Sequence, residues 1–263
     1  MQNHQTDLGH VCGTAPHPRY RKSYALTGER GQNRLNFATL IALSLLVISA
    51  PNGAEAASCK DSAVPGADWA DCNKKALMLG GSDLQGANLV NTDFTLTDLR
   101  GTNLKGANLE KATLVRSSLA GAMADGANFA KIEAYRCNFA GIAAEKASFV
   151  NSELQRANFS GARLTGTSFE KAELGRANFD KAELTGTKFS HANLSRADFT
   201  STTFTGPIDF HGAFMFLTRI EGVNLSEATG LEQEQVDMMC GDSSTKLPAG
   251  LSVPTGWPCP SDD

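Results

Sequence analysis

Large apolar side chains recur at every fifth position of the chain from Leu79 to Phe204, with only Ala124, Ala134 and Ala144 as small members. The position two residues before each of them is usually small, and the other three are mostly polar or Gly. A period of five fits neither an α-helix nor a flat strand, whose side chains repeat at about 3.6 and 2.0 residues. A repeat of such constant length indicates a solenoid, in which stacked neighbouring units bury the apolar side chains that no single unit could bury alone.

A second period of 20 residues lies on top of the first. Two residues after the large apolar position, arginine recurs at this interval as Arg116, Arg136, Arg156, Arg176 and Arg196. Glycine recurs in the same way along two further series, which begin at Gly81 and Gly86. Four five-residue sides therefore make one turn of a square-sectioned coil. Identical positions would stack at the ~4.8 Å spacing of paired strands.

The two glycine series mark two of the four corners of each coil. Glycine tolerates the positive φ that the third position of a type II turn requires. The other two corners carry mainly Lys, Asn or Arg. The sequence therefore predicts a different turn at those corners.

Several units resemble the A(D/N)LXX motif of bacterial pentapeptide repeat proteins, among them Ala87-Asn88-Leu89, Ala157-Asn158-Phe159 and Ala197-Asp198-Phe199. The resemblance covers roughly half of the chain. It implies an all-β solenoid of the right-handed quadrilateral β-helix type. It says little about function, because one fold hosts many functions.

The chain divides into four predicted parts. They are a leader at 1–56, a short N-terminal cap at 57–76, the β-helix at 77–228 and a C-terminal cap at 229–263. The repeat slips by one residue near 206–208, at Gly206-Pro207, where we expect a bulge. Thr229 and Glu232 fit a capping box for a short helix over about 229–240, followed by an extended segment. An end cap and a homodimer contact both explain this helix.

The leader has the features of a secretory signal peptide. Residues 37–50 form an apolar run that is preceded by basic residues and followed by small residues up to Ala56 and Ala57. The run is too short for a stable membrane span. Export to the periplasm or out of the cell is therefore predicted, with a residual anchor as the alternative.

Four cysteines flank the two ends of the predicted coil. In an oxidising compartment they predict the bridges Cys59–Cys72 and Cys240–Cys259, each closing a short loop. Cys137 occupies an inward small position, where we expect a buried free thiol. The alternative is that all of these cysteines stay reduced.

No catalytic constellation stands out, and we expect no enzyme activity, metal site or cofactor. His191 and His211 are the histidines outside the leader, and we expect them to lie far apart in register. The chain has no CxxC pair, which argues against zinc and thioredoxin-like chemistry.

Composition bounds the function further. The chain has 263 residues, 41% of them hydrophobic, and a formal net charge of −4, which fits an ordinary soluble domain with appendages. Acidic and basic residues are nearly balanced between Leu77 and Thr205. Some pentapeptide repeat proteins mimic DNA through an acidic β-helix and so protect gyrase and topoisomerase from quinolone drugs. That alternative function is disfavoured by this charge balance and by the leader, and no nucleic acid partner is expected.

The arginine series is the candidate interaction face. Five stacked guanidinium groups would fit phosphate or carboxylate polymers. Acidic residues recur three positions before these or equivalent corners, at Asp93, Glu133, Glu153 and Glu173. A salt-bridge ladder is therefore the simpler interpretation. We expect a rigid, non-enzymatic module that binds a protein or a cell-envelope component, with polyanion binding through the arginines as an alternative.

Overall fold

The quadrilateral β-helix predicted from the repeat is confirmed. A computed structural model describes residues 58–259, so the leader and its apolar run at 37–50 lie outside the described residues. Isolated parallel bridges join residues 20 apart, from Asp68 with Asn88 to Glu183 with Thr203. Each five-residue side contributes one such bridge, and four sides complete one coil.

Main-chain hydrogen bonds tie each side to the coils before and after it. The N–H of Phe139 donates to the carbonyl of Asn158 at 2.7 Å, and the N–H of Asn158 donates back to the carbonyl of Cys137 at 3.0 Å. An isolated unit would leave these groups without partners. Stacking therefore satisfies the backbone as well as the core.

Large central side chains and small inward ones fill the interior of the coil. Eight central phenylalanines form two columns, Phe129 to Phe189 and Phe139 to Phe199 at intervals of 20 residues, and all eight rings are buried. Within one column the rings of Phe149 and Phe169 lie nearly parallel at 4.9 Å. Across the axis Phe149 meets Phe159 edge to face at 5.6 Å. Both arrangements are favourable for aromatic rings.

Serine and threonine replace alanine at some inward positions without leaving a hydroxyl unpaired. Thr167 Oγ1 donates to the carbonyl of Ala144 at 2.7 Å, and Thr187 Oγ1 donates to the carbonyl of Leu164 at 2.9 Å. A buried hydroxyl is costly only when it lacks a partner. The inward position therefore admits a hydroxyl group as long as that hydroxyl donates to a main-chain carbonyl.

All four corners of the coil share one left-handed backbone conformation. The φ angle is 65° at Gly141, 55° at Arg136 and 60° at Lys131. The prediction of a different turn at the Lys and Arg corners is therefore wrong. The reason lies in the main chain: the N–H of Arg136 donates to Gln155 at 3.0 Å, just as that of Gly141 donates to Ser160 at 2.9 Å.

Replacing Gly141 by alanine should destabilise the fold by about 1–2 kcal/mol, because a left-handed residue with a Cβ atom costs about that much. A Cβ atom added there meets nothing within 4 Å, so a steric clash cannot cause the loss. Urea unfolding measures the effect. Gly256→Ala is the control, because its Cβ would also lie in open space but without a positive φ. Equal unfolding midpoints for the two variants would contradict the prediction.

The paired coil already begins within the segment predicted to be the N-terminal cap. Trp69 occupies a buried central position, and Lys74 occupies the next one. Lys74 Nζ lies 3.6 Å from the centroid of the Trp69 ring and donates to the carbonyl of Cys59 at 2.8 Å. Burial lowers the pKa of Lys74, although nearby Asp61 opposes this shift. Trp and Lys do not match the Leu/Phe pattern, so the repeat pattern does not predict this coil.

The slip near 206–208 inserts one residue into the coil. Bridges that span it join residues 21 apart, as in Lys188 with Asp209. Strand β1 (Ile208–Asp209) pairs in parallel with strand β2 (Ala228–Thr229), and helix α1 spans Gln233–Met238. The capping box begins three residues later than predicted, at Glu232 instead of Thr229. The N–H of Glu232 donates to the side chain of Gln235 at 2.9 Å.

Two cysteine pairs lie at disulfide distance at the ends of the rod. The Cα atoms are 5.4 Å apart in Cys59–Cys72 and 5.3 Å apart in Cys240–Cys259, the same pairs that the sequence predicts. Cys137 is a free, buried cysteine, and burial raises the pKa of its thiol to about 12. Among residues 58–259 no helix is long and apolar enough to cross a membrane.

Candidate interaction face

The five arginines of the 20-residue series form one corner of five consecutive coils, and we call them the arginine column. Their side chains are exposed, and their φ angles lie between 55° and 59°. The N–H of Arg156 donates to Gly175 at 2.9 Å, and that of Arg176 donates to Ser195 at 2.8 Å. The side chains therefore leave equivalent points of the backbone, over a length of ~19 Å at the spacing of paired strands.

The salt-bridge ladder predicted for the arginine column is wrong. The salt bridges of residues 58–259 join other charges, for example Lys131 with Glu110 at 2.9 Å and Arg163 with Glu145 at 3.8 Å. No member of the arginine column takes part in any ion pair among these residues. Within residues 58–259 the column is therefore a row of exposed cations without paired carboxylates.

Equivalent residues of consecutive coils lie above one another along the rod axis, and this arrangement explains why the salt-bridge ladder does not form. Glu133, Glu153 and Glu173 pair along their own column, on the flat side that precedes the arginine corner. The carboxylate of Glu173 accepts a hydrogen bond from Asn193 at 2.8 Å, again along this column. The carboxylate of Glu173 is thus bonded in the direction of the rod axis and not toward the corner.

Guanidinium groups in a fixed row suit a partner with repeated anionic groups. Each group presents several N–H donors in a planar fork, which matches the oxygens of phosphate or carboxylate. The guanidinium of Arg136 lies 5.2 Å from the centroid of the Tyr135 ring. A contact with an aromatic face leaves the N–H donors at the edge of the group available.

The two histidines outside the leader lie side by side, so their predicted separation in register is wrong. The ring centroids of His191 and His211 are 5.5 Å apart. Twenty residues make one coil, and the inserted residue moves Gly212 into the corner position above His191. A Cβ atom at Gly212 would lie 2.6 Å from His191 Nδ1, so glycine leaves room for this ring. In residues 58–259 no group of three or more His, Cys, Asp or Glu side chains could hold a metal.

Sequence reasoning missed a set of exposed apolar residues around the arginine column. Leu96, Phe214 and Phe216 are large and at least 45% exposed. For Leu96 and Phe214 the signal was present, because each of them stands where the repeat is otherwise mostly polar. A groove of about 500 Å³ opens beside Phe216, with Met239 and Trp257 in its lining. Trp257 Nε1 donates to the carbonyl of Met239 at 2.7 Å, which fixes one wall of the groove.

Two family models match the chain. One, described as pentapeptide repeats in eight copies, matches residues 79–114 and 102–141. The other, described as a pentapeptide repeat region, matches residues 152–229. Together the matches span more than half of the chain. No curated protein matches it.

Solved structures of several repeat proteins are similar to the chain. A trypsin-treated variant of QnrB1, a plasmid-mediated fluoroquinolone resistance protein, is 17% identical over 67% of this chain and 92% of its own, with a TM-score of 0.48. HetL from the cyanobacterium Nostoc sp., involved in heterocyst differentiation regulation, is 22% identical over 72% of this chain and 92% of its own, with a TM-score of 0.36. A pentapeptide repeat protein from the Arabidopsis thaliana thylakoid lumen is 23% identical over 47% of this chain and 69% of its own, with a TM-score of 0.21.

Proposed function

The chain belongs to the pentapeptide-repeat family, and we propose that it is an exported, non-enzymatic rod that binds an anionic component of the cell envelope through the arginine column. A β-helix holds its side-chain columns at fixed spacing. Preorganisation of this kind limits the conformational entropy that is lost on contact.

One observation carries the proposal: the five guanidinium groups are exposed and have no carboxylate partner within the described part of the chain. Unit charges at such spacing repel one another by about 1 kcal/mol in water. Each arginine also holds a left-handed backbone conformation, which costs about 1–2 kcal/mol. An anionic partner would relieve the repulsion. The column is therefore better suited to binding than to stabilising the rod alone.

Export is supported by two independent features. The leader at 1–56 carries the pattern of a signal peptide, and the two cysteine pairs lie at disulfide distance. Structural disulfides persist mainly in oxidising compartments. Cell fractionation tests this part, and an uncleaved cytoplasmic product would contradict it.

A DNA-mimicking inhibitor would need a strongly acidic rod, but acidic and basic residues are nearly balanced between Leu77 and Thr205. We therefore do not propose the gyrase- or topoisomerase-directed alternative for this chain.

Charge reversal of Arg156→Glu together with Arg176→Glu should weaken binding to heparin and to lipopolysaccharide by at least about tenfold. The reason is that two attractive contacts in the middle of the column become repulsive. Affinity chromatography and titration measure the change. Unchanged retention of this variant would contradict the proposed function.

The matched control is Arg163→Glu together with Lys188→Glu, which changes the net charge by the same amount on other sides of the coil. Arg163 and Lys188 are exposed, and they lie at outward positions away from the arginine corner. This control should keep most of its retention. A similar loss in both variants would show that overall charge, and not the column, governs binding.

A further inference from the structure

We infer that the anionic surface bound by the arginine column is that of a lipid bilayer, on which the rod lies along this corner. The inference rests on the proposed function and names its partner class. Three features of the same corner carry it: its apolar ends, the aromatic pair beside it and the groove that adjoins it.

The arginine column continues into a leucine at each end. Leu96 and Leu217 occupy the same corner, with φ angles of 60° and 53°. The N–H of Arg196 donates to the carbonyl of Phe216 at 2.8 Å, which places Leu217 on the coil after Arg196. One straight row therefore reads leucine, five arginines, leucine. It spans ~29 Å at the spacing of paired strands.

Further apolar side chains are exposed around the two ends of this row. Phe214 and Phe216 stack at 6.4 Å at the C-terminal end and are 49% and 45% exposed. At the N-terminal end Leu96 is 59% exposed and Met78 is 79% exposed. Exposed apolar groups beside arginines are typical of proteins that lie at a membrane interface, where the cations meet phosphates and the apolar groups enter the acyl boundary.

The groove beside Phe216 and Leu217 adds a place for a hydrocarbon chain. Its volume is about 500 Å³, within the range of small-molecule sites, and Met238, Met239 and Trp257 contribute to its lining. Because Leu217 also lines it, the groove lies at the apolar end of the row. A lipid whose headgroup contacts Arg196 would therefore have an apolar surface within reach of its tail.

A soluble anionic polymer would use the arginines but leave the apolar ends exposed to water. A bilayer supplies both chemistries in one plane, and a straight corner can contact a plane along its whole length. The column of Glu133, Glu153 and Glu173 limits the orientation, because those carboxylates would be repelled by anionic lipid. The rod would therefore rest on the corner and on its C-terminal end, where Phe214 follows Asn193 in that column and the carboxylates have ended.

Vesicle co-sedimentation tests the inference with the full chain. Vesicles of equal parts phosphatidylcholine and phosphatidylglycerol are compared with vesicles of phosphatidylcholine alone. Each arginine near an anionic surface contributes about fivefold to partitioning. The triple variant Arg136→Glu, Arg156→Glu and Arg176→Glu should therefore bind the anionic vesicles at least about 100-fold more weakly than the wild type. The Arg163→Glu, Lys188→Glu control should bind within a few-fold of the wild type.

A second variant, Leu96→Ser with Phe216→Ser, separates a lipid from a soluble polymer. It should lose about tenfold in vesicle binding, because two apolar anchors are removed, and it should keep its heparin retention. Both changed side chains are exposed, and equal circular dichroism spectra and urea midpoints verify the fold of every variant.

Heparin retention without vesicle binding would overturn the lipid inference and leave the proposed function standing. A wild type that binds neither heparin nor anionic vesicles would overturn the proposed function as well. Vesicle binding that survives the triple charge reversal would also overturn the inference, because the column would then not be the contact.

Discussion

Replacing Phe159 by alanine should lower the free energy of unfolding by about 3–5 kcal/mol. The ring of Phe159 is fully buried and lies between the parallel rings of Phe139 and Phe179, at centroid distances of 4.7 Å and 5.2 Å. It also meets Phe149 and Phe169 edge to face across the axis, at 5.6 Å and 5.4 Å. Truncation removes all of these contacts. It leaves a cavity that the hydrogen-bonded coils on either side cannot collapse to fill.

Phe159→Leu is the matched control. Leu99 and Leu119 occupy the same central position in earlier coils and are fully buried there. Leucine therefore fits the geometry, and its smaller volume should cost about 1–1.5 kcal/mol. Urea unfolding followed by circular dichroism measures both variants. Equal losses for alanine and leucine would show that the aromatic stack, and not the filled volume, determines the stability of this layer.

The position of Phe159 in the middle of the rod has a further consequence. In a solenoid each coil contacts only its neighbours, so stability is close to a sum of local and nearest-neighbour contributions. A weak middle coil uncouples the two halves. The unfolding transition of Phe159→Ala should therefore broaden as well as shift, and a transition as sharp as that of the wild type would contradict this coupling.

The sequence predicts the interior of this fold well, because the volume of the side chain at each position determines whether that position can be buried. A Leu or Phe at every fifth residue and a small residue two positions earlier can be buried together in one way only, as a narrow tube. The 20-residue recurrence of Arg116 to Arg196 then fixes the number of sides. No long-range information is needed, since every buried contact lies within one coil of its partner in the chain.

The backbone conformation of the corners and the ion pairing of the arginine column were less predictable, because they depend on main-chain hydrogen bonds and on side-chain direction instead of side-chain volume. At Arg136 the backbone turn follows from hydrogen bonding to the next coil, so the residue type does not predict the left-handed conformation. The missing salt-bridge ladder has a similar cause. Residues three apart sit on a flat side and on a corner, and the backbone of Glu133 pairs with that of Glu153 while Arg136 turns the corner. Periodicity gives the columns, but it does not give the direction in which a long side chain points.

The first coil shows the limit of pattern matching most clearly. Trp69 and Lys74 stand at central positions and are buried, yet neither is a Leu or Phe. In the first coil of a tube the core has a neighbouring layer on one side only. A lysine can be accommodated there because its ammonium group finds the carbonyl of Cys59 and the face of the Trp69 ring.

Replacing Gln235 by methionine should destabilise the C-terminal cap by about 3 kcal/mol, because each buried polar group left without a partner costs about 1–3 kcal/mol. Gln235 is buried, and its Nε2 donates to the carbonyls of Phe210 and Ala213 at 3.0 Å and 2.8 Å. Its Oε1 accepts from the N–H of Glu232. Methionine preserves the length of the side chain but cannot donate these hydrogen bonds.

The side chain of Gln235 replaces the coil that would otherwise have followed. In earlier coils the carbonyl of an inward residue accepts from the next coil, as Ala192 does from the N–H of Phe214 at 2.9 Å. The carbonyl of Ala213 instead accepts from Gln235. Loss of this contact should therefore act locally, on the last coils, while the Phe139 to Phe179 stack keeps its protection.

Amide hydrogen exchange measures whether the destabilisation is confined to the last coils. In Gln235→Met the amides of residues 208–225 should exchange faster, and those of residues 129–179 should not change. Glu234→Met is the control, because it introduces the same side chain on the exposed side of helix α1. If Gln235→Met left exchange unchanged in both regions, Gln235 would not be what holds this end of the rod, and the Cys240–Cys259 pair with the main-chain bridges of Cys240 and Lys246 would suffice.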